Sequence, residues 1–319
     1  MKYIWKDMYL AGIMGILVPG LLLNLGVMAY GEDQQMQIVT EAVTIAPEPE
    51  KTVTIRLGTD DCWENKDLEE YLVGVVLAEM PASFREEALK AQAVVARTYG
   101  VRALEGKRKH QEGDICGDST CCQGYRDPAD YGGTAEALQK VRDAVAATAG
   151  QVLTYEGELI EATYFSCSGG ITEDAVAVWG TDVPYLQSVV SPGEEDAAYY
   201  VGGVEFTLED FLDKLDLKLT GEPDSWLGKV TYTAGGGVDT MVIGDRTYKG
   251  TEIRKLLGLR STAFDISATQ ETITVTTRGY GHRVGMSQYG ADAMASSGST
   301  YGEILAHYYQ GTELTNWFD

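Results

Sequence analysis

Positive charge is scarce in this sequence. Only 25 Lys and Arg stand against 48 Asp and Glu, giving a formal net charge of −23 over 319 residues. Binding to a phosphate backbone rests on Lys and Arg, so this deficit excludes nucleic acid as a partner. It suits a soluble body outside the cytoplasm, where it can serve solubility as readily as any choice of partner. Cysteine is sparse too. The five at Cys62, Cys116, Cys121, Cys122 and Cys167 are odd in number, and the adjacent Cys121-Cys122 pair does not look like a disulfide framework. No internal repeat is visible. Otherwise the composition is that of a globular protein, 44% hydrophobic with 37 glycines, long enough for two domains or one with a large insertion.

The N-terminus differs from the rest. Lys2 and Lys6 precede an apolar run over residues 8–30, followed by Glu32 and Asp33. As a helix the run would extend about 34 Å at ~1.5 Å per residue, enough to cross the ~30 Å hydrocarbon core of a bilayer. The flanking charges place the N-terminus in the cytoplasm and the body outside. The rival reading is a cleaved signal peptide, with Val27-Met28-Ala29 as a weak cleavage site. Its apolar core would be longer than the ~7–15 residues usual for such signals, so a retained anchor is expected.

The expected organisation is a cytoplasmic stub and transmembrane anchor over residues 1–31, an acidic linker over 32–52, and a body over 53–201 and 265–319. An inserted lobe over 202–264 interrupts the body. The fold class is α+β, a mixed helical and β body carrying a smaller α/β lobe. Val53, Ile55 and Leu57 alternate as a strand would. An apolar helix follows over 67–79 and stops at Pro81. Ser83-Phe84-Arg85-Glu86 reads as a capping box opening a second helix to about Leu104. That helix is apolar on two sides, so its Lys90 and Arg97 must find partners or line a cleft. Helices are expected again at 134–148, 287–297 and 301–309, and strands at 151–155, 159–165 and 273–277. The lobe carries a helix capped by Thr207, two strands turning at Gly244-Asp245, and a helix ended by Gly258.

Three groupings can carry chemistry. Glu79 ends its apolar helix just before Met80-Pro81. A carboxyl in apolar surroundings has a raised pKa, and a proton held near neutral pH is what a general acid at a glycosidic oxygen needs. Solvent exposure at a helix end is the plainer alternative. His110, Cys116, Cys121 and Cys122 offer one imidazole and three thiolates, which suit a closed tetrahedral zinc site with no open position for catalytic water. A disulfide from Cys116 to Cys121 or Cys122, or free thiols, are the alternatives. The loop from Arg278 to Gly285 holds three glycines, which let backbone approach a ligand closely. It is not a nucleotide fingerprint, because no βαβ unit surrounds it.

Glu79-Met80-Pro81, the run from Glu87 to Val94 and Ala96-Arg97-Thr98-Tyr99 together resemble the core of the stage II sporulation protein D and amidase-enhancer family. Two further blocks match, Ala162 to Gly170 with Trp179 and Pro184-Tyr185-Leu186, and Gly279 to Ala291 with His307-Tyr308-Tyr309 and Gly311-Thr312. The blocks span residues 53–312 in order. The resemblance implies a peptidoglycan lytic transglycosylase of endospore engulfment, with Glu79 as its catalytic residue. One carboxylate then suffices, because the substrate's own C6 hydroxyl closes a 1,6-anhydro ring, whereas ordinary glycosidases need two. The motif blocks offer one obvious candidate.

The resemblance further implies peptide-stripped glycan strands as substrate, with a partner cell-wall amidase and a partner sporulation membrane protein. Lys90 and Arg97, seven residues apart on one helical face, are expected to meet a sugar or its lactyl carboxylate, with a structural ion pair as the alternative. Tyr164 and Ser166 offer a stacking face and a hydroxyl, and His282, Gln288 and Tyr289, from the glycine-rich loop that also holds Tyr280 and the helix after it, complete the expected binding set. Some family members bind zinc near the cleft through a similar cluster with a histidine where Cys121 stands. The competing function is a glycan-binding enhancer of an amidase that does not cut.

Overall fold

Ile55 and Leu57 are fully buried while Thr54 and Arg56 face out, the period of two that a strand buried on one side requires. In the computed structural model, which describes residues 52–59 and 62–318, this strand is β1 (Thr54–Thr59). It pairs antiparallel with β2 (Cys62–Asp67) and parallel with β3 (Ile115–Cys116). The anchor expected at 1–31, and all of the linker except Thr52, lie outside the described residues. Among the described residues no helix is long and apolar enough to cross a membrane.

Asp67 caps α1 (Leu68–Glu79) by accepting from the backbone N–H groups of Glu69 and Glu70. Residues 71–77 of this helix are all buried, so it runs through the core. The next helix, α2 (Glu86–Leu104), is buried along most of its length and lies against α1. The capping box expected at Ser83 does not form. Ser83 sits inside the turn closed by the Phe84 N–H on the Pro81 carbonyl. Arg85 is the N-cap, makes no side-chain cap bond, and donates its own N–H to Asp292 at 2.5 Å.

Around this helical pair lie α3 (Ala135–Ala146), β4 (Gln151–Tyr155), β5 (Glu158–Leu159), β6 (Tyr164–Phe165) and the short α4 (Ala175–Trp179). The chain then forms a second hydrophobic core from β7 (Val201–Thr207), α5 (Leu208–Leu215), β8 (Leu227–Tyr232), β9 (Val238–Ile243), β10 (Arg246–Lys249), α6 (Gly250–Leu257), β11 (Ala263–Ala268) and β12 (Thr272–Arg278). Two sheets, β11-β12-β7 and β10-β9-β8, bracket that core. Ile273 and Val275 of β12 are fully buried in it, so the packing of this lobe runs past residue 264. The return path is β13 (Met286–Ser287), α7 (Gln288–Ser296), α8 (Tyr301–Tyr308) and β14 (Glu313–Asn316). Parallel pairing of β13 with β6 brings the glycine-rich loop beside residues 163–168.

Arg283 ties the two cores together. It is buried, and its backbone is left-handed at φ 67°. Its guanidinium donates to the carbonyls of Ser168 (2.7 Å), Ile171 (2.8 Å) and Gly235 (2.7 Å) and pairs with Glu173 at 3.1 Å. Glu173 in turn accepts from the Thr233 hydroxyl and the Gly237 N–H, both at 2.9 Å on the turn between β8 and β9.

Candidate active site

Pro81 cannot continue α1, so Glu79 is fixed as its last residue, with the Met80 N–H closing the final turn on Val76. There the half-buried carboxyl lines a cavity of about 1000 Å³. The Gly124 N–H donates to its Oε1 at 2.6 Å. A Cβ at Gly124 would lie 2.9 Å from that oxygen, so any larger residue would push the carboxyl aside. Burial raises the Glu79 pKa; the Gly124 N–H, then Tyr164 and Gln288, pull it down without cancelling that effect. The residue therefore holds its proton to a higher pH than an ordinary glutamate.

A hydrogen-bond chain orients the neighbouring phenol. The Tyr71 hydroxyl donates to Gln123 Oε1 at 2.8 Å, and Gln123 Nε2 donates to the Tyr164 hydroxyl at 3.2 Å. With that lone pair engaged, Tyr164 keeps its own proton for Glu79. Gln288 approaches Glu79 from the first turn of α7, and its Nε2 lies 3.4 Å from Gln92 Oε1 on α2.

His282 lines the same cavity. Its Nδ1 accepts the Val284 N–H at 3.1 Å, so the ring's proton sits on Nε2. Burial, reinforced by the charge of Arg254 and opposed by the Tyr164 backbone, pushes its pKa down to about 4. It is neutral at neutral pH and packs as an aromatic wedge between Phe165 (5.6 Å) and Trp179 (5.4 Å). Two glycines of its loop, Gly279 and Gly285, admit the chain's own backbone, while Gly281 lies against the Phe165 side chain and lines the cavity. A Cβ at Gly279, where φ is 79°, would lie 2.6 Å from the Cys167 carbonyl oxygen, and one at Gly285 would collide with that of Thr163.

Glu79, Tyr164, Ser166, His282 and Gln288 are thus brought together around one cavity. Three other expected binding residues lie elsewhere. Arg97 is fully buried, gripping Glu69 through two bonds (2.9 and 2.6 Å) and donating to the carbonyls of Val145 and Gln151. Lys90 pairs along its own helix with Glu86 (2.7 Å) and Glu87 (2.9 Å). For both, the ion-pair alternative holds. Tyr289 packs edge-on against Phe84 (5.0 Å) and Tyr199 (6.1 Å). The cations that line the cavity are Lys109 and Arg126, which sequence reasoning did not single out, and a second carboxylate, the exposed Glu161, lines it too.

Glu194 was also missed. Its buried carboxylate accepts from the N–H and hydroxyl of Ser168 (2.9 and 2.7 Å), the Gly169 N–H (3.0 Å) and the hydroxyls of Ser191 and Ser287. It thereby holds the Ser-Cys-Ser-Gly-Gly turn against α7. Ser168 and Ser287 lie 26 and 93 residues away along the chain, so no local pattern marks it.

His110, Cys116, Cys121 and Cys122 form one group, their ligand atoms all within 4.8 Å of one another. The His110 Nε2 lies 3.5 Å from both the Cys121 and Cys122 sulfurs, which are 3.9 Å apart. A tetrahedral zinc with Zn–S of about 2.3 Å and Zn–N of about 2.0 Å sets S···N near ~3.5 Å and S···S near ~3.8 Å. The donor set fits that ion. None of the five cysteines forms a disulfide. Cys121 and Cys122 line the cavity, and Gly124, which holds Glu79, follows two residues later.

Residues 59–155 match the family model described as stage II sporulation protein. Over 260 residues the chain is 46% identical to stage II sporulation protein D of Bacillus subtilis (strain 168), covering 79% of this chain and 75% of that protein. The protein of the same description from Bacillus amyloliquefaciens is 43% identical over 263 residues, with the same coverage. An amidase enhancer of Bacillus subtilis (strain 168) is 31% identical over 304 residues, covering 77% of this chain and 40% of that protein.

Proposed function

The chain belongs to the stage II sporulation protein D family, and from that membership we propose that it is a peptidoglycan lytic transglycosylase of endospore engulfment with Glu79 as its acid and base. The observation that carries this reading is a single half-buried carboxyl of raised pKa, fixed by the Gly124 N–H inside a cavity large enough for sugar rings. Protonated Glu79 gives its proton to the O4 oxygen of the leaving N-acetylglucosamine as the bond to C1 of N-acetylmuramic acid breaks. The carboxylate then takes the proton of the muramic C6 hydroxyl, whose oxygen closes on C1. Water is not consumed, and Glu79 ends protonated as it began. Tyr164 and Gln288 hold the carboxyl between the two transfers. His282, already neutral near pH 7, shapes the cleft and keeps its Nε2 proton rather than serving as a general acid.

A zinc ion on His110, Cys116, Cys121 and Cys122 would supply a closed cross-link, with all four positions filled by protein. Its effect on the reaction would pass through the loop that carries Gly124. In this reading the strands are peptide-stripped and the chain works with a cell-wall amidase and a sporulation membrane protein. The run at residues 8–30 holds it in the membrane with its body outside. The full-length chain should then stay in the membrane fraction through high-salt washing, since ions do not screen apolar insertion. A soluble form beginning at Tyr30 would refute the anchor.

The amidase-enhancer relative supports a second reading, a glycan-binding stimulator of an amidase that does not cut. Mass spectrometry of stripped strands incubated with wild type and Glu79→Gln separates the alternatives. Anhydro-muramic ends from wild type alone are expected. Reducing muramic ends would indicate hydrolysis with Glu161 as second carboxylate, and intact strands would indicate the enhancer.

A further inference from the structure

Arg254, Lys255 and Arg260 converge on a hollow of about 490 Å³ that no carboxylate lines. Among the described residues none of the three makes an ion pair. With 48 acidic residues against 25 basic ones, such a place is uncommon in this chain. Arg254 and Lys255 stand in the last turn of α6, where cations complement the carbonyl end of a helix. That accounts for two of them and leaves Arg260, which follows the helix end. Its guanidinium lies over the rings of Tyr199 (5.6 Å) and Tyr280 (5.9 Å). Arg254 is half-buried; its Nε reaches the Leu259 carbonyl at 3.3 Å, and among the described residues its two Nη groups have no partner. Burial lowers its pKa, with Tyr280 opposing, as for a cation whose counter-charge is not supplied by the fold.

Tyr280 is the link. It is 43% exposed and lines both this hollow and the cavity that holds Glu79. We propose that the hollow is an accessory subsite for a carboxylate-bearing sugar of the same glycan strand, its acid group on Arg254, Lys255 and Arg260 and its ring on Tyr280. This rests on the reading of the larger cavity as a glycan cleft. In a stripped strand every muramic residue carries a free lactyl carboxylate; a stem peptide converts it to an amide. A polyanion approaching a chain of net charge −23 is repelled, and a local cationic hollow beside the cleft gives it a foothold.

The test uses the full-length chain in detergent, carrying Glu79→Gln so that strands are not consumed. Binding is measured to stripped strands, to the same strands with carboxyls converted to carboxamides, and to uncharged N-acetylglucosamine oligomers. Adding R254A/K255A/R260A should weaken binding to stripped strands by on the order of tenfold or more and leave the two uncharged ligands unchanged. Unchanged binding of the uncharged oligomers shows that the cleft remains folded. Arg260→Lys, which keeps the charge, should keep most of the affinity. Equal loss for all three ligands, or no loss for stripped strands, overturns the subsite. If wild type yields no anhydro ends while the charge-dependent binding persists, the cleavage reading fails and the subsite stands.

Discussion

At Glu79 the burial that makes a usable acid also works against the fold. A carboxyl whose folded pKa lies above its unfolded value adds stability in full below the unfolded pKa and loses it as pH rises through the folded one. Glu79→Gln keeps the shape and the Gly124 bond without the charge. It should melt higher than wild type at neutral pH, with the difference vanishing in acid, while anhydro-product release falls by ~10²–10⁴-fold or more. The kcat/KM of wild type should decline above a pKa higher than that of ordinary glutamate, and His282→Gln should leave that limb in place because His282 is already neutral. Retention of the limb in Glu79→Gln would assign the proton elsewhere. Gly124→Ala should lower kcat with little change in melting temperature, since its methyl meets the carboxyl oxygen rather than the core.

Among the elements, the segment from His110 to Gly124 joins the thiol cluster to the carboxyl. Purified without chelator, the chain should carry about one zinc, and Cys116→Ser should lower zinc content, melting temperature and turnover together. Loss of turnover at unchanged stability would instead point to a catalytic metal. The helices around the site were legible because caps and periodicity are local: Asp67 and Pro81 bound α1, and Ser287 and Thr300 cap α7 and α8. What each helix faces was not legible. Arg97 and Lys90 share a helical face, yet Arg97 meets a glutamate 28 residues away and the end of α3, while Lys90 stays with its own helix. β7 escaped notice because only Phe206 of its seven residues is buried, leaving no alternation to read. In α2, Arg97→Met should lower the melting temperature without weakening glycan binding, whereas a direct substrate contact would show in affinity.

For the molecule as a whole, Arg283 and Glu173 are the joint between two cores. Removing one partner leaves a buried charge uncompensated, a loss of about 3–5 kcal/mol. Arg283→Met and Glu173→Gln should each destabilise the chain strongly, and the double variant should lose less than the two singles combined, as denaturant unfolding would measure. Additive losses would mean that the pair is not the joint. The position was visible as a motif arginine, but its partners at 168–173 and 235 lie more than forty residues away, beyond any sequence period.

The cavity also has a history in time. Glu79 and Gly124 leave the ribosome early, Tyr164 later, and His282 with Gln288 near the end, so the walls around the carboxyl cannot close until almost the whole chain is made. Until then the carboxyl lacks part of the covering whose burial raises its pKa in the folded chain. If Glu79 is the acid proposed above, a nascent or half-threaded chain is disarmed by its own topology, and competence arrives only with the final helices.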